Sequence, residues 1–279
     1  MKKLIFMALP LMLVIGLGSA SMAQDRKDSS KEEEDEQPIQ EVFQAELVYP
    51  QDAGEIQLTL TSRFNRAGEQ NGLSNNLTVE YGITDDWQVE VEWDAFARKR
   101  TDDGMISRGP GDLQIGTKYS FLKMGGSNFH SAVGFEVTLP SGSVEKGLGE
   151  GAIEYEPFVI LAKDFPHQHR LQLFTEVSLA FIRPVKSLEP DEQKGNELTW
   201  VSGFFVPVRK LVFTGEFSLI NSKSNDSGRE KEIYLTPGLV WHPAKNWELG
   251  VGGQVGLNGL SHNSGVILKL TREWATRKQ

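Results

Sequence analysis

From about residue 53 onward, the chain alternates apolar and polar residues with a period of two almost to its end. The pattern is clearest in EIQLTLT (55–61), LTVEY (77–81) and WQVEVEW (87–93). Because side chains alternate between the two faces of a strand, each segment predicts a ribbon with one apolar and one polar face. A soluble sandwich alternates in the same way, so this pattern indicates strands without identifying their surroundings.

The alternation divides the chain into about twelve strands, each close to the roughly 9 to 11 residues that a tilted strand needs to cross a bilayer. The predicted strands are 54–64, 73–83, 87–97, 112–122, 129–139, 152–162, 170–182, 197–206, 211–220, 232–241, 247–257 and 265–274.

The connections between these strands alternate in length. Short connections such as 84–86 and 207–210 follow the even-numbered strands. Longer ones follow the odd-numbered strands, among them 65–72, 98–111, 140–151 and 221–231. This order is typical of outer-membrane barrels, which have tight periplasmic turns, longer external loops and both termini in the periplasm. We therefore expect the protein in the cell outer membrane, with both mature termini periplasmic.

The tryptophans favour the same interpretation. All six tryptophans fall at the alternating positions that apolar residues occupy in their strands. Most lie near strand ends, where indole rings favour the headgroup level of a membrane. We predict an aromatic girdle that contains Trp87, Trp200, Trp241 and Trp247. In lipid, only closure satisfies every backbone group of a sheet. The predicted fold is therefore all-β, a closed antiparallel transmembrane β-barrel of about 12 strands.

Two prolines, Pro157 and Pro237, lie inside predicted strands. Proline removes a hydrogen-bond donor from the ladder and usually occurs at sheet edges, strand starts or bulges. A closed barrel has no edges, so we expect a bulge at each proline, unless these two strands begin later than predicted.

The N-terminal region differs from the remainder of the chain. Residues 1–23 combine Lys2 and Lys3, an apolar stretch and a small-x-small cleavage site, which predicts a signal peptide. Residues 24–52 form an acidic leader that we expect to be disordered in the periplasm, and residues 53–279 form the barrel. The alternative for the leader is a plug or a partner-binding tail, with anchoring residues Phe43, Leu47, Val48 and Tyr49.

Charge and cysteine content narrow the possible partners. The chain has 29 basic and 38 acidic residues and a formal net charge of −9, which argues against nucleic acid as a partner. It contains no cysteine, which excludes disulfides and a lipid-modified cysteine at the cleavage site.

Several motifs resemble one family of outer-membrane barrels. GPGDLQIGTKYSFL (109–122), FEVTLPSGSVEKGLGEG (135–151) and YGITDDW (81–87) are similar to recurrent segments of the transporters described as the MetA-pathway phenol-degradation family. Segment 263–270 resembles the assembly signal of such barrels, although Trp274 is followed by five more residues. The resemblance implies outer-membrane lipids, the barrel-assembly machinery and a small organic solute as partners.

We expect the polar face of the strands to line the lumen. An excess of acidic over basic side chains there raises the local concentration of cations. This favours a path for cations or neutral solutes, unless the acids are simply paired or bridged by water. Inward glycines and Ala132 would leave space on part of the wall, although glycine in a strand also marks bends. The predicted lumen-lining residues are Arg63, Glu80, Glu90, Glu92, Asp94, Lys118, Glu136, Glu154, Glu156, Glu176 and Glu216; the small inward residues are Gly116, Ala132, Gly134, Gly203, Gly238, Gly250 and Gly252.

We expect a passive channel or transporter for small organic solutes, including hydrophobic or aromatic ones. The alternatives are a structural or assembly protein without a conducting path, and an outer-membrane enzyme that modifies lipids. The enzyme needs a nucleophilic serine beside a histidine, and His262-Asn263-Ser264 is the one suggestive cluster. His167-Gln168-His169 has no third metal ligand, and no phosphate-binding loop or dinucleotide motif is present. We therefore predict no enzymatic activity, no metal and no cofactor.

Overall fold

The computed structural model describes residues 39–67, 70–100, 104–185, 194–224, 228–258 and 264–275, so the predicted signal peptide lies outside the described residues. No helix in these ranges is long and apolar enough to span a bilayer. The described residues form thirteen β-strands: β1 (Glu55–Ala67), β2 (Gln70–Thr84), β3 (Trp87–Arg100), β4 (Ile106–Gly109), β5 (Leu113–Phe121), β6 (Phe129–Leu139), β7 (Ala152–Phe165), β8 (Leu171–Pro184), β9 (Lys194–Val208), β10 (Leu211–Ser224), β11 (Gly228–Trp241), β12 (Trp247–Gly256) and β13 (Ser264–Ala275). Two short 3-10 turns are also described, Met124–Gly126 and Val144–Lys146.

The strands form one closed antiparallel sheet. Consecutive strands pair with each other except β4 and β5, and β1 pairs with both β2 and β13, which closes the barrel. Strands β4 and β5 both pair with β3, through Ala97↔Gly109 and Trp93↔Leu113, so they are two parts of one barrel stave interrupted at residues 110–112. The twelve staves confirm the predicted closed, antiparallel, twelve-stranded all-β barrel.

The side chains on the predicted apolar face of the strands point outward. Val91 is 43% exposed, Ile115 46%, Val159 46% and Leu268 53%, and comparable side chains surround the barrel. A contiguous apolar band of this size on a folded surface marks contact with membrane or protein. Because the sheet is closed and its backbone groups are paired within the wall, the band suits the hydrocarbon core of a bilayer.

We call the end of the barrel that carries connections 85–86, 122–128, 166–170, 209–210 and 242–246 the short-turn end, and the opposite end the loop end. At the loop end, the predicted long connections 65–72 and 221–231 are wrong. Strands β1, β2, β10 and β11 continue their pairing there, which leaves only residues 68–69 and 225–227 between the partners. Connection 140–151 between β6 and β7 is long, as predicted.

The two strand prolines do not produce the expected bulges. Pro157 pairs with Phe135, and Pro237 pairs with Gly215. On the other side, the β7–β8 and β11–β12 ladders are interrupted beside the proline and resume in the same register. Each proline therefore lacks ladder bonds on one side only, and the sheet accommodates it without an extra residue.

The inside–outside assignment predicts a strong effect of charge at Val91. Val91→Lys would place an ammonium in the apolar band and should lower the free energy of unfolding by about 2–4 kcal/mol. Val208→Lys, at an outward position beside a short turn, should cost only about 0–1 kcal/mol because the interface is hydrated. Reversible urea unfolding in lipid vesicles measures both. Equal effects of the two lysines would contradict the assignment.

Candidate functional site

Residues 39–52 of the leader lie inside the barrel, in the half of the lumen nearest the short-turn end. Leu47 and Val48 are completely buried, and Ile39 is 1% exposed. The expectation of disorder is therefore wrong from Ile39 to Asp52, and the plug alternative describes this part. The physical reason is that the lumen supplies apolar contacts and hydrogen bonds that an isolated acidic segment lacks. Residues 24–38 lie outside the described residues. We call Ile39–Asp52 the lumen segment.

One carboxylate from the wall holds the first turn of the lumen segment. Glu216 on β10 is 1% exposed and accepts hydrogen bonds from the backbone N–H groups of Phe43, Gln44 and Ala45, at 3.0, 2.8 and 3.1 Å. Hydrogen bonds to a charged acceptor are stronger than neutral ones. Glu216 thus satisfies three consecutive backbone donors inside the barrel, two of them in the buried residues Phe43 and Ala45.

The ring of Phe43 occupies a patch of wall that carries no side chains. A Cβ atom added to Gly238 would lie 2.2 Å from the ring, and one added to Gly252 would lie 2.9 Å from it. Gly250 completes the patch, with the ring 3.2 Å from its added Cβ. The space that these glycines leave is therefore filled by the lumen segment.

Basic side chains bind the carbonyl oxygens and acids of the lumen segment. Lys118 is 2% exposed, and its Nζ lies 2.8 Å from both the Leu47 carbonyl oxygen and a Glu46 carboxylate oxygen. Lys269 donates to the Val42 carbonyl oxygen at 2.8 Å and forms an ion pair with Glu41. The wall therefore provides a cation for each of these two leader acids.

A polar cluster holds the lumen segment close to the short turns. The Tyr49 hydroxyl donates to Asp164 at 2.7 Å and accepts from Gln172 at 3.0 Å. His130 is 1% exposed, and its Nε2 lies 3.1 Å from the same Asp164 oxygen. Burial, reinforced by Asp164, raises the pKa of the Tyr49 phenol, so the hydroxyl remains a donor.

All eleven predicted lumen-lining residues lie on the inward parity of the wall, but their environments differ. Arg63, Glu80, Lys118, Glu176 and Glu216 hydrogen-bond the lumen segment. Glu92 instead accepts from Asn76 and Thr78 on the neighbouring strand. The remaining members of the set are Glu90, Asp94, Glu136, Glu154 and Glu156, placed inward by their pairing.

The acids of the wall come close together on one side. Glu80 is directly opposite Glu90, and Glu136 is directly opposite Glu156. Like charges in this relation repel, so the neighbouring bases and amides are needed to stabilise the wall. Carboxylate oxygens of Glu46, Glu90 and Glu136 lie within 4.8 Å of one another, the arrangement of the described residues most suited to a hard cation. Lys118 already supplies a cation to Glu46.

The longest described connection at the loop end is held against the inside of the wall. One Asp112 carboxylate oxygen accepts from the Gly142 N–H at 2.7 Å, and the other accepts from the Glu150 N–H at 2.8 Å. Leu148, within this connection, is 7% exposed. The Gly-Asp-Leu and Leu-Pro-Ser-Gly motifs therefore fold the β6–β7 connection into the loop end of the lumen. A cavity of about 300 Å³ lies beside it, lined in part by Asp94 and Lys99.

Sequence reasoning missed the polar residues that hold the lumen segment, among them Gln51, Gln88, His130, Asp164 and Gln172. Gln51 donates to Gln88 through its backbone N–H at 3.0 Å and to Glu80 through its side chain at 3.0 Å. The available clue was the group of inward glycines at 238, 250 and 252, which required a bulky partner from elsewhere in the chain.

The predicted girdle residues lie on the outer face. Trp87 is 41% exposed, Trp241 45% and Trp200 42%, while Trp247 is half-buried against Arg272. Trp87, Trp241 and Trp247 are at the short-turn end, and Trp200 is on β9 toward the loop end. Of the catalytic alternative His262-Asn263-Ser264, Ser264 is the first residue of β13, and His262 and Asn263 lie outside the described residues.

An apolar outer band, an interior that carries many buried polar side chains beside an apolar cluster, and full closure define the class of outer-membrane β-barrels of the porin type. Within this class, the chain belongs to the family described as the putative MetA-pathway of phenol degradation, whose sequence profile matches residues 106–265. The predicted family is therefore confirmed. No curated protein matches the chain.

Solved outer-membrane channels share the fold. The COG4313 outer membrane channel from Pseudomonas putida F1 is 9% identical with a TM-score of 0.64, covering 81% of this chain and 98% of that one. The NanC porin is 13% identical with a TM-score of 0.54, covering 79% and 100%. The KdgM porin in complex with disordered oligogalacturonate is 14% identical with a TM-score of 0.50, covering 77% and 98%.

The glycine patch predicts how the lumen segment can be released. Gly252→Val should exclude the Phe43 ring, which removes about 1.5–3 kcal/mol of burial and raises the displaced fraction about tenfold or more. The chain has no cysteine, so Ala45→Cys introduces a single buried thiol. Its rate of labelling by maleimide reports how often the lumen segment is displaced. Gly253→Val is the control, because a Cβ there meets nothing within 4 Å. Equal labelling rates in the two variants would contradict this role of Phe43.

Proposed function

We propose that this protein is a passive outer-membrane channel for small organic solutes, closed in this structure by its own lumen segment. One observation carries the proposal: glycines of the wall leave a gap that Phe43 fills from a separate part of the chain. A barrel built only as a scaffold has no need for a removable filling, because side chains of its own wall could close it. The proposal also places the short-turn end and both mature termini in the periplasm, as in other barrels with this arrangement of turns.

The charge of the wall restricts the solute. Acids outnumber bases among the inward residues, and Glu80, Glu90, Glu136 and Glu156 form a continuous acidic side. Such a wall lowers the local concentration of anions. The oligogalacturonate bound by the KdgM porin is a polyanion and would be repelled here. Neutral or cationic organic molecules fit better, and the family description favours small aromatic ones.

The contacts of the lumen segment are consistent with reversible closure. They are hydrogen bonds, ion pairs, the rings of Phe43 and Tyr49 and the buried side chains of Ile39, Val42, Leu47 and Val48. Each such interaction contributes only about 1–3 kcal/mol. The segment is continuous with β1 through residues 53–54, where the Ala53 N–H donates to Asp85 at 3.1 Å. This connection leaves the segment attached to the rim when it moves.

A structural protein without a conducting path is the competing proposal. It is favoured by the extent of burial of Leu47 and Val48, which resembles a permanent core. A lipid-modifying enzyme has less support, because His130, the buried histidine of the described residues, is directed to Asp164 inside the barrel and away from lipid.

Single-channel recording in planar bilayers tests the proposal. The wild type should show small or infrequent openings, and Phe43→Ala combined with Glu216→Gln should increase open time or conductance by at least about threefold, because two anchors of the lumen segment are weakened. Gly253→Val provides a control for insertion. A folded double variant that never conducts would favour the structural alternative.

The acidic wall predicts cation selectivity. Glu90→Gln with Glu92→Gln should lower the cation-to-anion permeability ratio by about twofold or more, while folding changes little because lumen substitutions mainly tune selectivity. The control is Glu145→Gln, which removes an acid from an exposed position of the β6–β7 connection. The reversal potential in a salt gradient measures the ratio. A ratio that is unchanged in the double variant would place the conducting path away from these acids.

A further inference from the structure

Arg272 is a basic residue on the outer face of the barrel. It lies on β13 with the same parity as Leu268, which is 53% exposed, and it is directly opposite Trp247 on β12 and Leu58 on β1. Trp247 is the first residue of β12, immediately after the short connection 242–246. Arg272 therefore lies at the short-turn rim of the apolar band.

Two tryptophans hold the guanidinium group. Its Cζ atom lies 4.6 Å from the centre of the Trp247 ring and 5.5 Å from that of Trp274. These are cation–π distances, and such contacts are strongest where water is excluded. The rings stabilise the positive charge, but they do not accept the hydrogen bonds that the guanidinium N–H groups can donate.

The guanidinium lacks an anionic partner among the residues that the structure describes. Its Nε atom is buried and has no hydrogen-bond acceptor. The nearest acids along β12 and β13, Glu248 and Glu273, lie on the inward parity, opposite the buried Thr271 and Gln57. The N–H groups of the guanidinium therefore lie at the rim of the apolar band without a hydrogen-bond acceptor from the described residues of the wall.

A membrane rim is where such a group can be used. A lysine or arginine facing lipid is strongly destabilising at the midplane but costs little near the interface. Phosphates of the lipid headgroups lie at that level, and the planar guanidinium matches phosphate in two-point contacts. The tryptophans restrict the side chain, so little conformational entropy is lost when a phosphate binds.

We propose that Arg272, Trp247 and Trp274 form a binding site for the phosphate of an anionic phospholipid in the periplasmic leaflet. This inference rests on the membrane orientation given under the proposed function. It does not depend on conduction, since the site is on the outer face and none of its three side chains lines the lumen.

Native mass spectrometry of the full chain, titrated with phosphatidylglycerol or phosphatidylcholine, tests the site. Wild type should retain phosphatidylglycerol in preference to phosphatidylcholine, and Arg272→Gln should weaken phosphatidylglycerol retention about tenfold, as expected for loss of a charge-assisted two-point contact. Arg272→Lys keeps the charge without the planar group and should show an intermediate loss. Inorganic phosphate should not compete at the same concentration, because it lacks the acyl chains that the apolar band binds.

Lys163→Gln is the matched control. Lys163 is an exposed cation 5.3 Å from the Phe165 ring near another short turn, but it has no pair of tryptophans. Retention should remain within about twofold of wild type in this variant. Equal losses in Lys163→Gln and Arg272→Gln, or unchanged retention in Arg272→Gln, would overturn the proposal. Unchanged conductance of Arg272→Gln in planar bilayers separates failure of this site from failure of the channel.

Discussion

Closure of the sheet is the constraint on which the remaining structure depends. Pairing of β1 with β13 satisfies the backbone of every stave within the wall, which is the condition for crossing lipid. The same closure creates an interior that side chains, an inserted segment or water must occupy. Side chains of the wall fill part of it, as where the Phe174 ring covers Gly203. The lumen segment fills the part around Gly238, Gly250 and Gly252.

The wall and the lumen segment are complementary in chemistry as well as in shape. Donors of the segment meet wall carboxylates at Glu176 and Glu216, and its carbonyl oxygens meet Lys118 and Lys269. The inward acids therefore have two uses. Some hold the segment in place, and in the proposed channel Glu90 and Glu136, which lie beside Glu46 of the segment, would determine the charge that a solute meets. Mutations of the wall should consequently change closure and selectivity to different extents.

Most of the barrel was predictable because the period-two pattern has a direct physical cause in the two environments of the wall. Strand number, the outward parity and the position of Trp87 beside a short turn follow from that pattern. The extended hairpins at 65–72 and 221–231 were missed because polar residues outside lipid pair as readily as they form loops. The bulges expected at Pro157 and Pro237 were wrong because a missing N–H affects only one neighbouring strand.

The lumen segment was harder to predict because its contacts are non-local. Glu216 is separated from Phe43 by most of the chain, and no local periodicity relates an acidic leader to three glycines on β11 and β12. The motif around Asp112 shows the same limit. Its resemblance to a family was visible in the sequence, whereas its action on the N–H groups of Gly142 and Glu150 was visible only in the fold.

We propose that the lumen segment opens while the barrel remains folded, and hydrogen exchange tests this most directly. The informative backbone amides are those of Phe43, Gln44 and Ala45, which donate hydrogen bonds to Glu216. Reversible release predicts intermediate protection: exchange slower than at exposed turn amides, faster than at central amides of β10, and accelerated by Glu216→Gln while β10 remains protected. Exchange as slow as in β10 would show a permanent filling of the barrel. Exchange at the unprotected rate would show that the segment does not occupy the lumen.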